Sequence, residues 1–298
     1  MLDDDVRQRT ARLAVVSAIS VAIVALVYVV AVRTHIGQRV DAVAFDRRSA
    51  VTAATTRRTD RLLGTVSVAS LLGFGGAIVL IALARRRISL AIAAGAAMAG
   101  SVLTTEVLKL RLLHRPDLGS FGGVAHNTFP SGHATIGMAL SLGAVTVAPV
   151  SLRRVALLIA ALTSTAFGTA VLSSGWHRPS DTIGAYFVTL AWFAAASAAV
   201  ANADQREAQR LAAAPDPRPS PALMVGAAAG VFGILMFVLY KSIGTSGLRT
   251  VVFAAPYVLA CIGIDLAGLA VVGTFYVLQR TRPGRSGFGR VSVISRNL

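Results

Sequence analysis

Long apolar runs separated by short polar stretches dominate the chain, and eight runs approach or reach the length of a membrane-spanning helix. A span needs about 20 predominantly apolar residues, and backbone groups inside a bilayer must bond within their own segment, which favours helices. The runs lie at 13–32, 62–84, 88–108, 134–150, 155–172, 182–203, 222–240 and 250–278. The pattern therefore predicts an all-α integral membrane protein.

The polar stretches between these runs divide the chain into parts. The predicted parts are a six-span membrane domain at 1–203, a Pro-rich cytoplasmic linker at 204–221, two extra transmembrane helices at 222–279 and a basic tail at 280–298. Within the first part, Ile36, Val40 and Val43 recur at helical spacing among charged residues of the 33–61 connection. This spacing predicts a helix that lies on the membrane surface.

The composition agrees with a membrane protein and excludes several other classes. Of the 298 residues, 55% are hydrophobic and 14% are charged, and the mean hydropathy is +0.68. Soluble domains carry about 25% charged residues, so a soluble enzyme and a disordered chain are both excluded. The single cysteine, Cys261, excludes a disulfide framework and a multi-cysteine metal site.

The net charge of +16 comes mainly from arginine. Such an excess can indicate nucleic-acid binding, but these arginines lie between apolar runs and form no continuous patch, so we predict no nucleic-acid partner. The arginines in the short turns at 85–87 and 153–154 favour the cytoplasmic side. We therefore expect a multi-pass plasma-membrane protein with both termini in the cytoplasm, although the basic 33–61 connection favours the opposite orientation.

Two of the connections that then face outward carry most of the reactive side chains. The first ends in Pro130, Ser131, Gly132 and His133, directly before an apolar run. Proline and serine suit the start of a helix, and a helix N-terminus presents N–H groups that attract an anion such as phosphate. Taken alone, the Ser-Gly-His tripeptide is weak evidence for a phosphate site, and a capping serine beside a surface histidine explains it better.

The second connection carries His177 and Asp181, four residues apart, a spacing that places both on one helix face. A carboxylate there can hold one imidazole nitrogen protonated and leave the other as a base or nucleophile. The alternative is an ion pair at the membrane interface. Lys109 and Arg115 add permanent charge at the same end, unless they only extend toward the headgroups. Histidines and aspartates can also bind zinc, but no known zinc spacing is present.

The three clusters together are more specific than each one alone. The order Lys-x5-Arg-Pro, Pro-Ser-Gly-His and His-x3-Asp, each at a span boundary, resembles the type 2 phosphatidic acid phosphatase superfamily. That superfamily includes membrane lipid phosphatases and shares its core with vanadate haloperoxidases. The resemblance covers roughly residues 60–203 and is strongest from 109 to 181. It implies a six-helix phosphatase-like core, followed here by two extra C-terminal helices.

The resemblance also implies a role for each matching residue. His177 would be the nucleophile that forms a phosphohistidine, Asp181 would orient it, and His133 would protonate the leaving group. The phosphate oxygens would be held by Lys109, Arg115, Ser131 and Gly132. We expect no metal or other cofactor, because cations and N–H donors around the oxygens supply what phosphoryl transfer needs.

The chain departs from the family pattern at two points. Five residues separate Lys109 from Arg115, where the family usually has six, and on a helix one residue rotates a side chain by about 100°. The third motif usually carries an arginine six residues before its histidine, and that position is Val171 here. We predict that Arg178 supplies the missing guanidinium by turning toward Ser131, Gly132 and His133, with Arg111 as the next candidate. The alternative is that Arg178 points to lipid headgroups or bulk water.

The predicted function is hydrolysis of a lipid phosphate at an extracytoplasmic active site. The candidate substrates are polyprenyl phosphates or diphosphates, phosphatidic acid and phosphatidylglycerophosphate. The alternatives are a lipid phosphotransferase, or a transporter or structural membrane protein with a degenerate site. Two acidic residues stay open: Glu106 either pairs with Lys109 or caps the membrane edge, and Asp265 is either a functional intramembrane acid or bonded to a hydroxyl.

Overall fold

The computed structural model describes residues 2–64, 68–119, 126–210 and 248–279, and this part of the chain is helical without β-strands. The helices are α1 (Leu2–Val27), α2 (His35–Asp46), α3 (Ala53–Gly64), α4 (Val68–Ala84), α5 (Ile88–Val107), α6 (Gly132–Val147), α7 (Arg153–Ser173), α8 (Pro179–Ala199), α9 (Ala201–Arg210) and α10 (Leu248–Gln279). Helices α1 and α5 each continue into a π-helical turn, at Tyr28–Val32 and Leu108–Leu112. The all-α prediction is confirmed.

Among the described residues, five helices are long and apolar enough to cross a membrane. They are Val6–Val32, Ile88–Leu112, Arg153–Ser173, Pro179–Ala199 and Val252–Gln279. Helices α3 and α4 form a pair bent by 60°, which counts as a sixth span if the pair crosses together, and α6 is a shorter apolar helix. The length and apolar composition of these helices indicate a multi-pass membrane protein. The predicted 222–240 span lies outside the described residues.

Helix α8 lies at the centre of the bundle and contacts α1, α5, α6 and α10. Small residues allow these close approaches, as is common between membrane helices. At Gly184 a Cβ atom would overlap the ring of Phe129. Glycine therefore lets the connection before α6 lie directly on α8, and this contact brings two of the predicted motifs together.

The 33–61 connection contains two helices, α2 and α3, rather than an open loop. Ile36, Val40 and Val43 form an exposed apolar face of α2, as the predicted surface helix requires. The opposite face of α2 is buried, and Gln38 donates from Nε2 to the carbonyl oxygens of Val32 and Pro116, both at 2.8 Å. One side of α2 is thus free to contact lipid while the other is attached to the segment around Arg115.

The structure corrects the start of the predicted 204–221 linker, since residues up to Arg210 belong to helix α9. Asp204 is buried there and pairs with Arg9 at 3.1 Å and with Arg87. The sequence placed Asp204 in the linker and gave no sign of these pairs, because its two cationic partners lie far away in the chain. Residues 211–221 and the basic tail at 280–298 lie outside the described residues.

The apolar run at 250–278 forms helix α10, one of the candidate spans, which packs on α7 and α8. The hydroxyls of Tyr257 on α10 and Ser173 on α7 lie 2.6 Å apart. Asp265 is buried in the same helix, and its Oδ1 has no hydrogen-bond partner in the described part of the chain. Helix α10 therefore shares the core of the bundle with the helices that carry the motifs.

Candidate active site

The structure brings the three predicted motifs to one end of the bundle. The contributing elements are the π turn after α5, the start of α6, and the turn between α7 and α8. A backbone bond ties two of these elements together, since the Ser131 N–H donates to the carbonyl oxygen of Asp181 at 2.9 Å. Residues separated by 50 positions in the sequence thus share one site.

His177 and Asp181 make the predicted contact, with 3.4 Å between His177 Nδ1 and Asp181 Oδ2. The carboxylate is fully buried, and Oδ2 also accepts hydrogen bonds from Thr128 Oγ1 at 2.6 Å and from the Arg178 N–H at 3.0 Å. His177 itself precedes the helix, because Pro179 is the first residue of α8 and disfavours a helical residue before it. The carboxylate therefore reaches back from the helix to orient the ring.

Ser131 caps helix α6 as its sequence context predicts. Its side chain is fully buried, and Oγ accepts a hydrogen bond from the Ala134 N–H at 3.3 Å. A Cβ atom at Gly132 would lie 3.0 Å from Glu106 Oε1 and 3.6 Å from Lys109 Nζ. The helix N-terminus and the Lys109 ammonium group therefore face the same small space.

Lys109 reaches this space from the π-helical turn Leu108–Leu112. π-Turns are frequent at functional sites and change the angle between successive side chains. Lys109 Nζ pairs with Glu106 Oε1 at 2.6 Å, which decides between the two interpretations of Glu106. Arg111, the alternative cation, has an exposed side chain.

Arg115 lies between two carboxylates, one of which the sequence analysis missed. Its Nη2 atom is 3.5 Å from Asp181 Oδ1 and 3.7 Å from Asp41 Oδ2, and all three side chains are less than a tenth exposed. Asp41 comes from α2, and burial together with the neighbouring Asp181 raises its pKa to about 6. The only sequence signal for Asp41 was an acid on the polar face of the amphipathic helix.

His133 is the second residue of α6 and lies edge-on against the Trp176 ring, with 4.9 Å between ring centroids. Trp176 directly precedes His177, and the two histidines are close enough to interact electrostatically. Lys109 also lies within electrostatic reach of His133. The two predicted catalytic histidines therefore occupy one site, beside the cation of the first motif.

Arg178 is buried beside Thr128 and Phe45. Its Nη1 atom is 3.5 Å from Thr128 Oγ1, and its guanidinium carbon is 5.7 Å from the centre of the Phe45 ring. The guanidinium thus lies next to the hydroxyl that bonds Asp181 Oδ2. Its turn toward Ser131, Gly132 and His133 stays a prediction.

Val171, at the position where the family usually carries an arginine, packs in the apolar core and does not contribute a charge. Its side chain is fully buried in an apolar cluster with Leu63 and Ala170, while its carbonyl oxygen accepts from the Trp176 and His177 N–H groups at 3.0 and 3.2 Å. A further guanidinium that the sequence analysis missed, Arg48, lies against Gly175 in the same turn. Gly175 has a φ of +71°, which favours glycine.

Comparison with known proteins places the family motifs in the same part of the chain. The family model described as PAP2 superfamily matches residues 90–205. No curated protein and no solved structure matches this chain significantly. The matched segment runs from α5 into α9 and includes all three motifs; α2 and α10 lie outside it. The match over residues 90–205 thus supports a relationship to the PAP2 superfamily, whose members are generally phosphatases that act on phosphate esters, often those of lipids.

Proposed function

We propose that the protein is a lipid-phosphate phosphatase that forms a phosphohistidine intermediate on His177. The observation that carries this proposal is the contact between His177 Nδ1 and the buried Asp181 carboxylate, made beside a helix N-terminus and two cations. A carboxylate on Nδ1 fixes the tautomer that leaves Nε2 unprotonated. The surrounding apolar helices suit a substrate whose phosphate is attached to a lipid.

The two histidines divide the reaction into two steps. In the first step His177 Nε2 attacks phosphorus, the bond from phosphorus to the lipid oxygen breaks, and His133 protonates the leaving oxygen. In the second step water attacks the phosphohistidine, His133 accepts its proton, and inorganic phosphate leaves with the electron pair of the P–N bond returning to Nε2. Asp181 stabilises the positive charge that develops on the His177 ring in the first step.

The phosphate oxygens are held by charge and by N–H donors. Lys109 lies beside the start of α6 at Gly132, and Arg115 lies beside Asp181. Phosphoryl transfer depends mainly on such positioning and electrostatic stabilisation. In this proposal Arg178 contributes the remaining guanidinium.

The site is proposed to face the extracytoplasmic side of the plasma membrane. The basic turns at 85–87 and 153–154 belong to the opposite end of the helices that carry the motifs. Short basic connections favour the cytoplasm. Because the phosphate-binding residues select the phosphate rather than the lipid, the substrate class includes polyprenyl phosphates and diphosphates, phosphatidic acid and phosphatidylglycerophosphate.

The experiment that tests this function is phosphate release by the purified protein from a panel of those lipid phosphates. Release from at least one of them supports the proposal. Appearance of the phosphoryl group on an added alcohol in place of water would indicate a phosphotransferase. If the protein neither releases nor transfers phosphate, a transporter or structural protein is favoured. The apolar Val171 at the usual arginine position supports that alternative.

Activity is expected to survive removal of divalent metals with EDTA. The reason is that Lys109, Arg115 and the N-terminus of α6 supply the positive charge that a metal ion supplies elsewhere. Phosphate release is measured before and after dialysis against the chelator. A loss of activity that zinc or magnesium specifically restores would contradict this prediction.

Replacing Arg178 with alanine is expected to lower kcat/KM by about 10²-fold, the typical loss for one donor that stabilises transition-state charge. Arg111→Ala is the matched control, because that guanidinium is exposed at the same end of the bundle. Steady-state kinetics on a lipid phosphate measure both variants. A lower Tm with an unchanged kcat/KM would show that the buried Arg178 has a structural role and does not hold phosphate.

A further inference from the structure

Asp41 is a buried carboxylate on α2, outside the residues 90–205 that match the family model, and its side chain reaches the site. Its side chain is 6% exposed, Oδ1 accepts from the Ser180 N–H at 3.2 Å, and Oδ2 accepts from the Ser180 hydroxyl. Ser180 is the second residue of α8, where the backbone N–H has no partner within the helix. Asp41 thus caps, from a separate helix, the turn that places His177 and Asp181.

Asp41 is also one of the two carboxylates that flank the Arg115 guanidinium. The guanidinium lies 3.7 Å from Asp41 and 3.5 Å from Asp181, distances that give charge attraction without close hydrogen bonds. Arg115 Nε and Nη2 are buried and have no hydrogen-bond partner among the described residues. Leaving buried donors without hydrogen-bond partners costs free energy. The Nε and Nη2 donors of Arg115 therefore suit a bound anion.

We propose that Asp41 is a positioning residue, which holds Arg115 midway between two carboxylates and so keeps its N–H groups available to the substrate phosphate. This inference rests on the proposed function. With Asp181 as the only counter-charge, Arg115 would close on that carboxylate as a bidentate ion pair. Such a pair consumes the N–H donors and competes with His177 for Asp181.

The attachment of α2 supports this role. Besides Asp41, its buried face carries Gln38, whose Nε2 donates to the carbonyl oxygen of Pro116 at 2.8 Å. Pro116 directly follows Arg115, so α2 fixes both the backbone and the charge environment of that residue. Helix α2 therefore acts as a support for the phosphate-binding arginine.

The test compares Asp41→Asn with the wild-type protein. The asparagine side-chain oxygen still accepts from the Ser180 N–H but carries no charge. Asp60→Asn is the matched control, since that carboxylate is exposed on α3 in the same connection. We expect Asp41→Asn to weaken the Kd of inorganic phosphate, measured by calorimetry, and to lower kcat/KM by about tenfold or more, as loss of a charge-assisted contact does. Asp60→Asn should leave both unchanged.

The pH dependence provides a readout that a purely structural role would not move. The charged and titratable groups facing Asp41 are Arg115 after α5, and Arg178 and Asp181 at the start of α8. With a pKa of about 6, Asp41 is charged above that pH and neutral below it. The ratio of wild-type to Asp41→Asn phosphate affinity should therefore be large at pH 7 to 8 and approach one toward pH 5. Titration of the phosphate itself affects both proteins and largely cancels in the ratio.

Equal phosphate affinity of Asp41→Asn and wild type would overturn the inference, as would a pH-independent ratio with only a lower Tm. Asp41→Ser serves as a second neutral variant if the asparagine variant does not fold. An Asp41-dependent phosphate Kd in a protein that releases no phosphate from any lipid would support the binding role but contradict the proposed function. Absence of phosphate binding by the wild type would contradict both.

Discussion

Replacing His177 with alanine is expected to lower the rate of phosphate release by about 10⁴-fold or more, because no other group takes the place of a lost nucleophile. The fold should persist, since the His177 side chain lies in a turn at the end of the bundle and its backbone N–H bond to Val171 remains possible. The measurement is the initial rate of phosphate release from a lipid phosphate, together with the Tm of each protein.

A second observation on His177 tests the covalent intermediate directly. Wild-type protein mixed briefly with a radiolabelled lipid phosphate and stopped in alkali should retain label, since phosphohistidine survives in base. His177→Ala should retain none, whereas His35→Ala, which removes an exposed histidine at the start of α2, should behave as wild type. Phosphate release at the wild-type rate by His177→Ala would show that the nucleophile is another residue.

Replacing His133 with alanine is expected to lower kcat/KM for a lipid phosphate by about 10²–10⁴-fold, the usual contribution of a general acid. The loss should depend on the leaving group. A lipid alkoxide needs a proton as the P–O bond breaks, whereas p-nitrophenolate leaves readily without one. The expected result is thus a much smaller loss with p-nitrophenyl phosphate than with the lipid substrate.

The control for His133 is Trp176→Phe, which keeps an aromatic ring beside His133 and should retain most activity. Because kcat/KM reports the steps up to the first irreversible one, the comparison isolates phosphorylation from later hydrolysis of the intermediate. An equal loss on both substrates would assign His133 to phosphate binding or to structure, and proton transfer would then need a different donor.

The parts of the site that depend on neighbours in sequence could be predicted. Ser131 caps α6 because the bond to the Ala134 N–H joins residues three apart. The contact of His177 with Asp181 likewise joins residues four apart, although the helical explanation given for it was wrong at His177, which precedes α8. The pairing of Glu106 with Lys109 was one of two interpretations, and the local spacing allowed it.

The sequence by itself determined the all-α membrane class and the identity of the three motifs, because each apolar run satisfies its own backbone bonds and each motif lies within a few residues. Only the tertiary structure decided which distant groups complete the site. Asp41 bonds Ser180 across 139 positions, and Thr128 bonds Asp181 across 53. Such contacts depend on how helices pack, and packing of small and apolar side chains leaves no periodic signal that identifies the partner. The same reason explains why Asp204, which the sequence placed in the Pro-rich linker, is buried between two arginines.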